Sequence, residues 1–148
     1  MQKIGDSLEG KRVLITQSQD FMGPVLVDMF RGYGAEVIGD SQPLAEPGLA
    51  EKIVEDAGHV DVLIVNLAVP APRTAVTNVD DAEWQHVFSH LCDPLPRLFR
   101  SVLPQMIERK AGKIVVMGSS SALRGMPLTS SYSAARGAQV SYVRSTGT

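Results

Sequence analysis

Four short apolar runs, each followed by helical spacing or a loop leading into it, constrain this chain more than any other feature. "KRVLITQ" (11–17), "AEVIGD" (35–40), "VDVLIVNLAV" (60–69) and "GKIVVMG" (112–118) read as buried strands, rich in β-branched residues and bounded by Gly or loop signals. Between the first two, Val25, Met29 and Phe30 recur at helical spacing, and Gly32 and Gly34 follow as stop signals. "LAEKIVEDAG" reads as a short helix, and the stretch from about Asp80 to Lys110 as helical throughout. "SSSALRGMPLTS" reads as a loop, with a last helix beginning near Ser131. Strands that are apolar on both faces and alternate with helices imply a parallel sheet covered on both sides. Right-handed crossovers then give an α/β doubly wound, Rossmann-like domain spanning residues 1–148, with spatial strand order second, first, third, fourth. The last helix meets no stop signal before "SYVRSTGT", so the chain is expected to be the front part of a longer protein.

Composition excludes several classes. The net charge of −2 leaves no basic footprint for nucleic acid or an anionic membrane surface. No apolar run approaches the ~20 residues of a membrane span, and "MQKIGDSLEGK" has no apolar signal core. The single cysteine, Cys92, forms no internal disulfide and fits a reducing, cytoplasmic setting. His59, His86 and His90 are scattered and show no metal-ligand pattern with Cys92 or the carboxylates, which favours structural roles and no metal.

Ligands of doubly wound sheets bind outside the carboxyl ends of the strands. That places Thr16–Gly23, Asp40, Asn66–Ala68 and Ser119–Ser121 at one mouth. The first loop, "TQSQDFMG", keeps only Gly23 of a phosphate-binding turn; Gln17 and Phe21 stand where two glycines are expected. A phenyl ring at Phe21 fills space a dinucleotide needs, although core packing explains a lone Phe equally well. Asp40 sits where an acidic residue would hold a ribose, but without the glycines it reads as a cap or turn residue. No cofactor is therefore expected.

Ser119, Tyr132 and Arg136 are ordinary residues singly: a turn serine, a half-buried tyrosine, a solvated arginine. At spacings of thirteen and four they combine. Residues four apart share a helix face, and a fixed cation beside a phenol favours the phenolate. Arginine keeps its proton at any working pH. No other residue at the mouth is read as able to take a proton.

This set resembles the site of short-chain dehydrogenases/reductases with lysine replaced by arginine. Together with Thr16-x4-Phe21-x-Gly23 it resembles the paired signature of halohydrin dehalogenases, a match that runs on through "VDVLIVNLAV" and "GKIVVMGSS". Val65-Asn66-Leu67-Ala68 replaces the reductase Asn-Asn-Ala-Gly element, and Leu91 stands where reductases usually have a relay Asn. The resemblance implies cofactor-independent closure of vicinal halohydrins to epoxides with release of halide, and reverse opening of epoxides by small anions such as azide or cyanide. It implies Tyr132 as base, Ser119 as the positioner of the substrate oxygen and Arg136 as the tuner of Tyr132. A reductase lysine also binds the nicotinamide ribose; with no nicotinamide only the tuning remains, which Arg supplies. Thr16, Phe21 and Gly23 are expected to frame a halide pocket, and Ser121, Met126 and Thr129 to line the substrate side. Much of that pocket would lie beyond Thr148, so the remainder of the protein is expected to be needed for activity. The stripe Leu95, Leu98, Phe99, Val102, Leu103 and Met106 is core by default, on a helix that resembles the one forming the family's tetramer interface, with Pro104 a candidate kink. Two rivals are a nicotinamide-dependent reductase with an eroded glycine loop, which nucleotide titration would reveal, and a non-catalytic binding protein, which would release no halide.

Overall fold

The structure, a computed structural model, describes residues 7–147. Its four strands are β1 (Arg12–Ile15), β2 (Glu36–Gly39), β3 (Val62–Val65) and β4 (Lys113–Val116). All pair in parallel, in the order β2-β1-β3-β4. The register sets Leu14 beside Leu63 and Leu63 beside Ile114. Six helices connect or flank them: α1 (Gly23–Gly32), α2 (Leu49–Ala57), α3 (Asp81–Leu91), α4 (Pro94–Arg109), α5 (Ser121–Arg124) and α6 (Ser130–Thr146).

Strand alternation sends side chains into two cores. Leu14, Leu63 and Val65 join the larger one with α2, α3, α4 and Ala135 of α6. Val13, Ile15 and Ile64 meet α1 through Leu26 on the opposite face. That second face is thinly covered: α1 packs on β1 and β2, and Val115 of β4 is 45% exposed. The expectation of a sheet covered on both faces therefore holds at its centre and not along β4, among the described residues. The larger core also takes the stripe on α4, where Leu95, Leu98, Phe99, Val102 and Met106 are buried and Leu103 is partly so.

Two readings of the sequence need correction. The helical stretch from Asp80 to Lys110 is two helices, broken at Cys92–Asp93. Pro94 and Pro96 have no N–H to offer the carbonyls one turn back, and a proline ring clashes with the carbonyl four residues before it. Asp80 starts α3 by accepting the amide of Glu83 at 2.8 Å. The supposed loop after β4 also contains a single helical turn, α5. At the break, burial first, and Asp93 second, push the Cys92 thiol up to about 11. As a protonated thiol it donates to the Ala135 carbonyl at 3.4 Å. No helix among the described residues is long and apolar enough to cross a membrane.

Candidate active site

The loops at the carboxyl ends of the strands are tied together by side chains that the sequence makes hard to interpret in isolation. Thr16 is buried, and its hydroxyl donates to the Asn66 carbonyl and accepts from the Asn66 amide, both at 2.9 Å. Asn66 is fully buried, and its Nδ2 donates to the carbonyls of Gln17 and Asp20, each at 2.9 Å. Gln17 clamps the end of β3 twice, donating to the Ala68 carbonyl and accepting the Ala68 amide. The ends of β1 and β3 are thereby locked together.

The loop they hold has a telling backbone. Gln17 and Phe21, the two positions where glycines were expected, have φ of +41° and +52°. The chain keeps the left-handed turns that glycine supplies without strain, and supplies them with bulky residues at a cost of order 1 kcal/mol each. Gly23 is required for a different reason. A Cβ there would sit 2.5 Å from the backbone carbonyl carbon and oxygen of Ser18. Three amides of this segment are taken, Ser18 N–H by the Asp40 carbonyl, Asp20 N–H by that of Gln17, and Gly23 N–H by that of Asp20. Pro24, at the start of α1, has no N–H. Asp40 is used as a turn residue, its carboxylate accepting the Gln42 amide at 2.9 Å and the Gln42 side chain. These residues fit a dinucleotide poorly: a pyrophosphate needs free amides at a helix start, and here the Gly23 amide is bonded back to Asp20, Pro24 has none, and the Phe21 ring lies over Arg136 at the mouth.

Phe21 is not core; it is 52% exposed, and its ring covers the guanidinium of Arg136, whose carbon lies 5.3 Å from the ring centroid. Arg136 is 1% exposed. Its Nε donates to the Tyr132 hydroxyl at 3.0 Å. Nη1 donates to the Met117 carbonyl and to Gln139 Oε1, and Nη2 to the Leu67 carbonyl at 2.9 Å. Thus α6 is bonded to the ends of both β3 and β4 through one side chain. No carboxylate reaches Arg136 among the described residues. A buried cation without a counter-ion is costly, and only dipoles and two aromatic faces offset it here. Tyr132 is its one bonded partner able to carry a negative charge.

Beside this pair opens a cleft of about 490 Å³. Gln17, Phe21, Ala68 and Tyr132 line it, with His86 and His90 on the α3 side. Those two histidines overturn the reading that nothing else at the mouth can take a proton; one helical turn apart, they present a common face that spacing alone did not connect to Tyr132. Gln139 was also missed. It is buried, accepts from Arg136 and donates to the Leu91 carbonyl at 2.7 Å, and its only sequence signal is a position three residues after Arg136. Ser119 does not line the cleft. Its hydroxyl accepts from the Ser121 hydroxyl at 3.0 Å and is half-buried at the end of β4. Buried Ser121 and Thr129 are likewise committed, Thr129 to the Met126 carbonyl and Ser133, whereas Met126 is exposed. Thr16 braces the loop after β1 from behind through its bonds to Asn66. Among the described residues no group of three or more metal-ligating side chains comes together.

The short-chain dehydrogenase family model matches residues 12–148. The chain is 26% identical to the 3-oxoacyl-[acyl-carrier-protein] reductase of Vibrio harveyi, covering 94% of this chain and 67% of that protein. It is 28% identical to 5-keto-D-gluconate 5-reductase of Escherichia coli K12, covering 89% and 63%. It therefore spans about two-thirds of the length of these curated relatives. Among solved structures it is similar to a dehalogenation enzyme, at 25% identity and a TM-score of 0.84, covering 95% of this chain and 68% of that one. Strand order, the loops gathered at the carboxyl ends of the strands, and the Tyr-x3-basic pair on the last helix agree with that match over nearly the whole length, and the chain belongs to the short-chain dehydrogenase family.

Proposed function

We propose that the full-length protein converts vicinal halohydrins to epoxides without a nucleotide cofactor, and opens epoxides with small anions in reverse. The observation that carries this reading is the buried, acid-free Arg136 bonded to Tyr132 at 3.0 Å. An unpaired guanidinium in a low-dielectric site stabilises the phenolate facing it. Tyr132 then removes the substrate hydroxyl proton, a step for which general bases contribute about 10²–10⁴-fold. The alkoxide attacks the neighbouring carbon as the carbon–halogen bond breaks, so halide and a proton leave with the epoxide. Ser119 accepts from Ser121 and keeps its own hydroxyl hydrogen, which it offers to the substrate oxygen. Phe21, with Gly23 and Thr16 shaping its loop, walls the halide side, and of Ser121, Met126 and Thr129 the exposed Met126 is the one free to meet substrate. Assembly as a homotetramer belongs to the same reading, with exposed Trp84 of α3 and Ile107 of α4 as apolar residues such a contact would cover.

The similarity to a dehalogenation enzyme supports this reading, and the similarity to reductases supports the alternative of nicotinamide-dependent hydride transfer. The Gly23 amide bonded back to Asp20, the missing amide of Pro24 and the Phe21 ring weigh against the alternative. The test is halide release by the full-length protein from a panel of halohydrins, with and without NADH or NADPH. Release that needs no nucleotide is expected. Carbonyl reduction with nucleotide oxidation and no halide release would reverse the assignment.

A further inference from the structure

Dehalogenation as proposed above leaves a proton on Tyr132 that must depart before the next turnover, and Arg136 cannot take it. The cleft holds a group shaped for that task. His90 Nδ1 lies 2.8 Å from the backbone oxygen of His86. A carbonyl only accepts, so Nδ1 carries the hydrogen and a neutral ring leaves the Nε2 lone pair bare. A base held from behind by a fixed partner is how reactive bases are oriented. His86 lies against it with ring centroids 4.3 Å apart and the rings tilted by 46°, and is the more exposed of the two.

The other charged or titratable groups around the cleft are Asp20 from the loop after β1, and Tyr132 and Arg136 from α6; Pro43 and residues 68–70 bring none. A carboxylate is a far weaker proton acceptor than imidazole near neutral pH. We propose that His90 Nε2 receives, through cleft water, the proton Tyr132 has taken from substrate, and that it leaves to solvent past His86. The Tyr132 O–H bond breaks, the Nε2–H bond forms, and the phenolate is restored. The imidazolium then gives the proton to bulk water, and no electrons are transferred.

This inference rests on the dehalogenase reading, so the experiment has two arms in the full-length protein. In the first, His90→Ala and His90→Gln are compared with wild type for halide release. Both should keep the first-turnover burst but lose about tenfold or more of the steady-state rate, and added imidazole should restore it. His90→Gln can still donate to the His86 carbonyl but cannot accept a proton, so retention of the wild-type rate there would overturn the proposal. The second arm needs no turnover. After a pH jump, the tyrosinate absorbance assigned by subtracting Tyr132→Phe should relax more slowly in both His90 variants and recover with imidazole. Equal relaxation in wild type and variants contradicts the role of His90. Absence of halide release from wild type contradicts the dehalogenase reading alone, because the pH jump still decides His90.

Discussion

The Phe21 ring lies over the Arg136 guanidinium, 5.3 Å from centroid to carbon, although the two stand near opposite ends of the chain. It stands where a glycine would open the loop to a pyrophosphate. NADH and NADPH are therefore expected not to bind full-length protein at physiological concentrations. The single tryptophan, Trp84, and nucleotide fluorescence both report on this; saturable quenching in the micromolar range would contradict it.

Gly23 and Ser18 are in contact that only glycine permits, since an added Cβ would lie 2.5 Å from backbone atoms that cannot move aside. Gly23→Ala should destabilise the protein by about 1–3 kcal/mol, as overpacking typically does. Chemical denaturation measures this. A wild-type midpoint would show that the loop yields readily.

Much of this architecture is legible in sequence because it depends on local period and spacing. Four apolar runs gave four strands, and right-handed crossovers gave their order. Tyr132 and Arg136 meet because residues four apart on a helix must. What was illegible depends on contacts between distant segments. Gln139 becomes a bridge only when α3 brings the Leu91 carbonyl against α6. His86 and His90 reach the cleft only through the packing of α3 on α6. Ser119 looked poised by its spacing from Tyr132, yet the α5 turn places Ser121 against its hydroxyl. Arg136 looked solvated because arginines usually are; its burial is decided by the carbonyls of Leu67 and Met117.

Gln139 separates structure from electrostatics. Gln139→Leu strips partners from the buried guanidinium and the Leu91 carbonyl, at about 1–3 kcal/mol of stability. Gln139→Glu instead supplies the counter-ion that Arg136 lacks. It should keep more stability than Gln139→Leu but lose activity near neutral pH and recover it at alkaline pH, because the phenolate is no longer favoured. Thermal melts with pH–rate profiles of both variants check this. Unchanged activity in Gln139→Glu would show that the missing counter-charge has no consequence.

Asp61 gives a pH dependence far from the cleft. Its carboxylate accepts the Arg12 amide at 2.9 Å and meets His59 at 3.1 Å. The amide first, and His59 after it, hold the carboxyl below its ordinary 3.8, against the opposing effect of burial. A depressed folded value means stability that is present above about pH 4 and lost as pH falls through the lower folded value. Asp61→Asn should therefore be less stable than wild type at neutral pH, with the gap closing in acid. Denaturation curves at neutral pH and near pH 3 test the sign; a gap that widens in acid would contradict it.

The central claim is that Arg136 acts on Tyr132 by charge, and the pH–rate profile of halide release tests it most directly. In full-length protein, Tyr132→Phe should release halide at background rate. Arg136→Lys keeps a cation but not the planar fork, and should fold while losing much activity. Arg136→Gln removes the charge, and its optimum should move to alkaline pH by more than that of Arg136→Lys. A profile for Arg136→Gln that superimposes on wild type would show Arg136 to be structural only, and would contradict the mechanism.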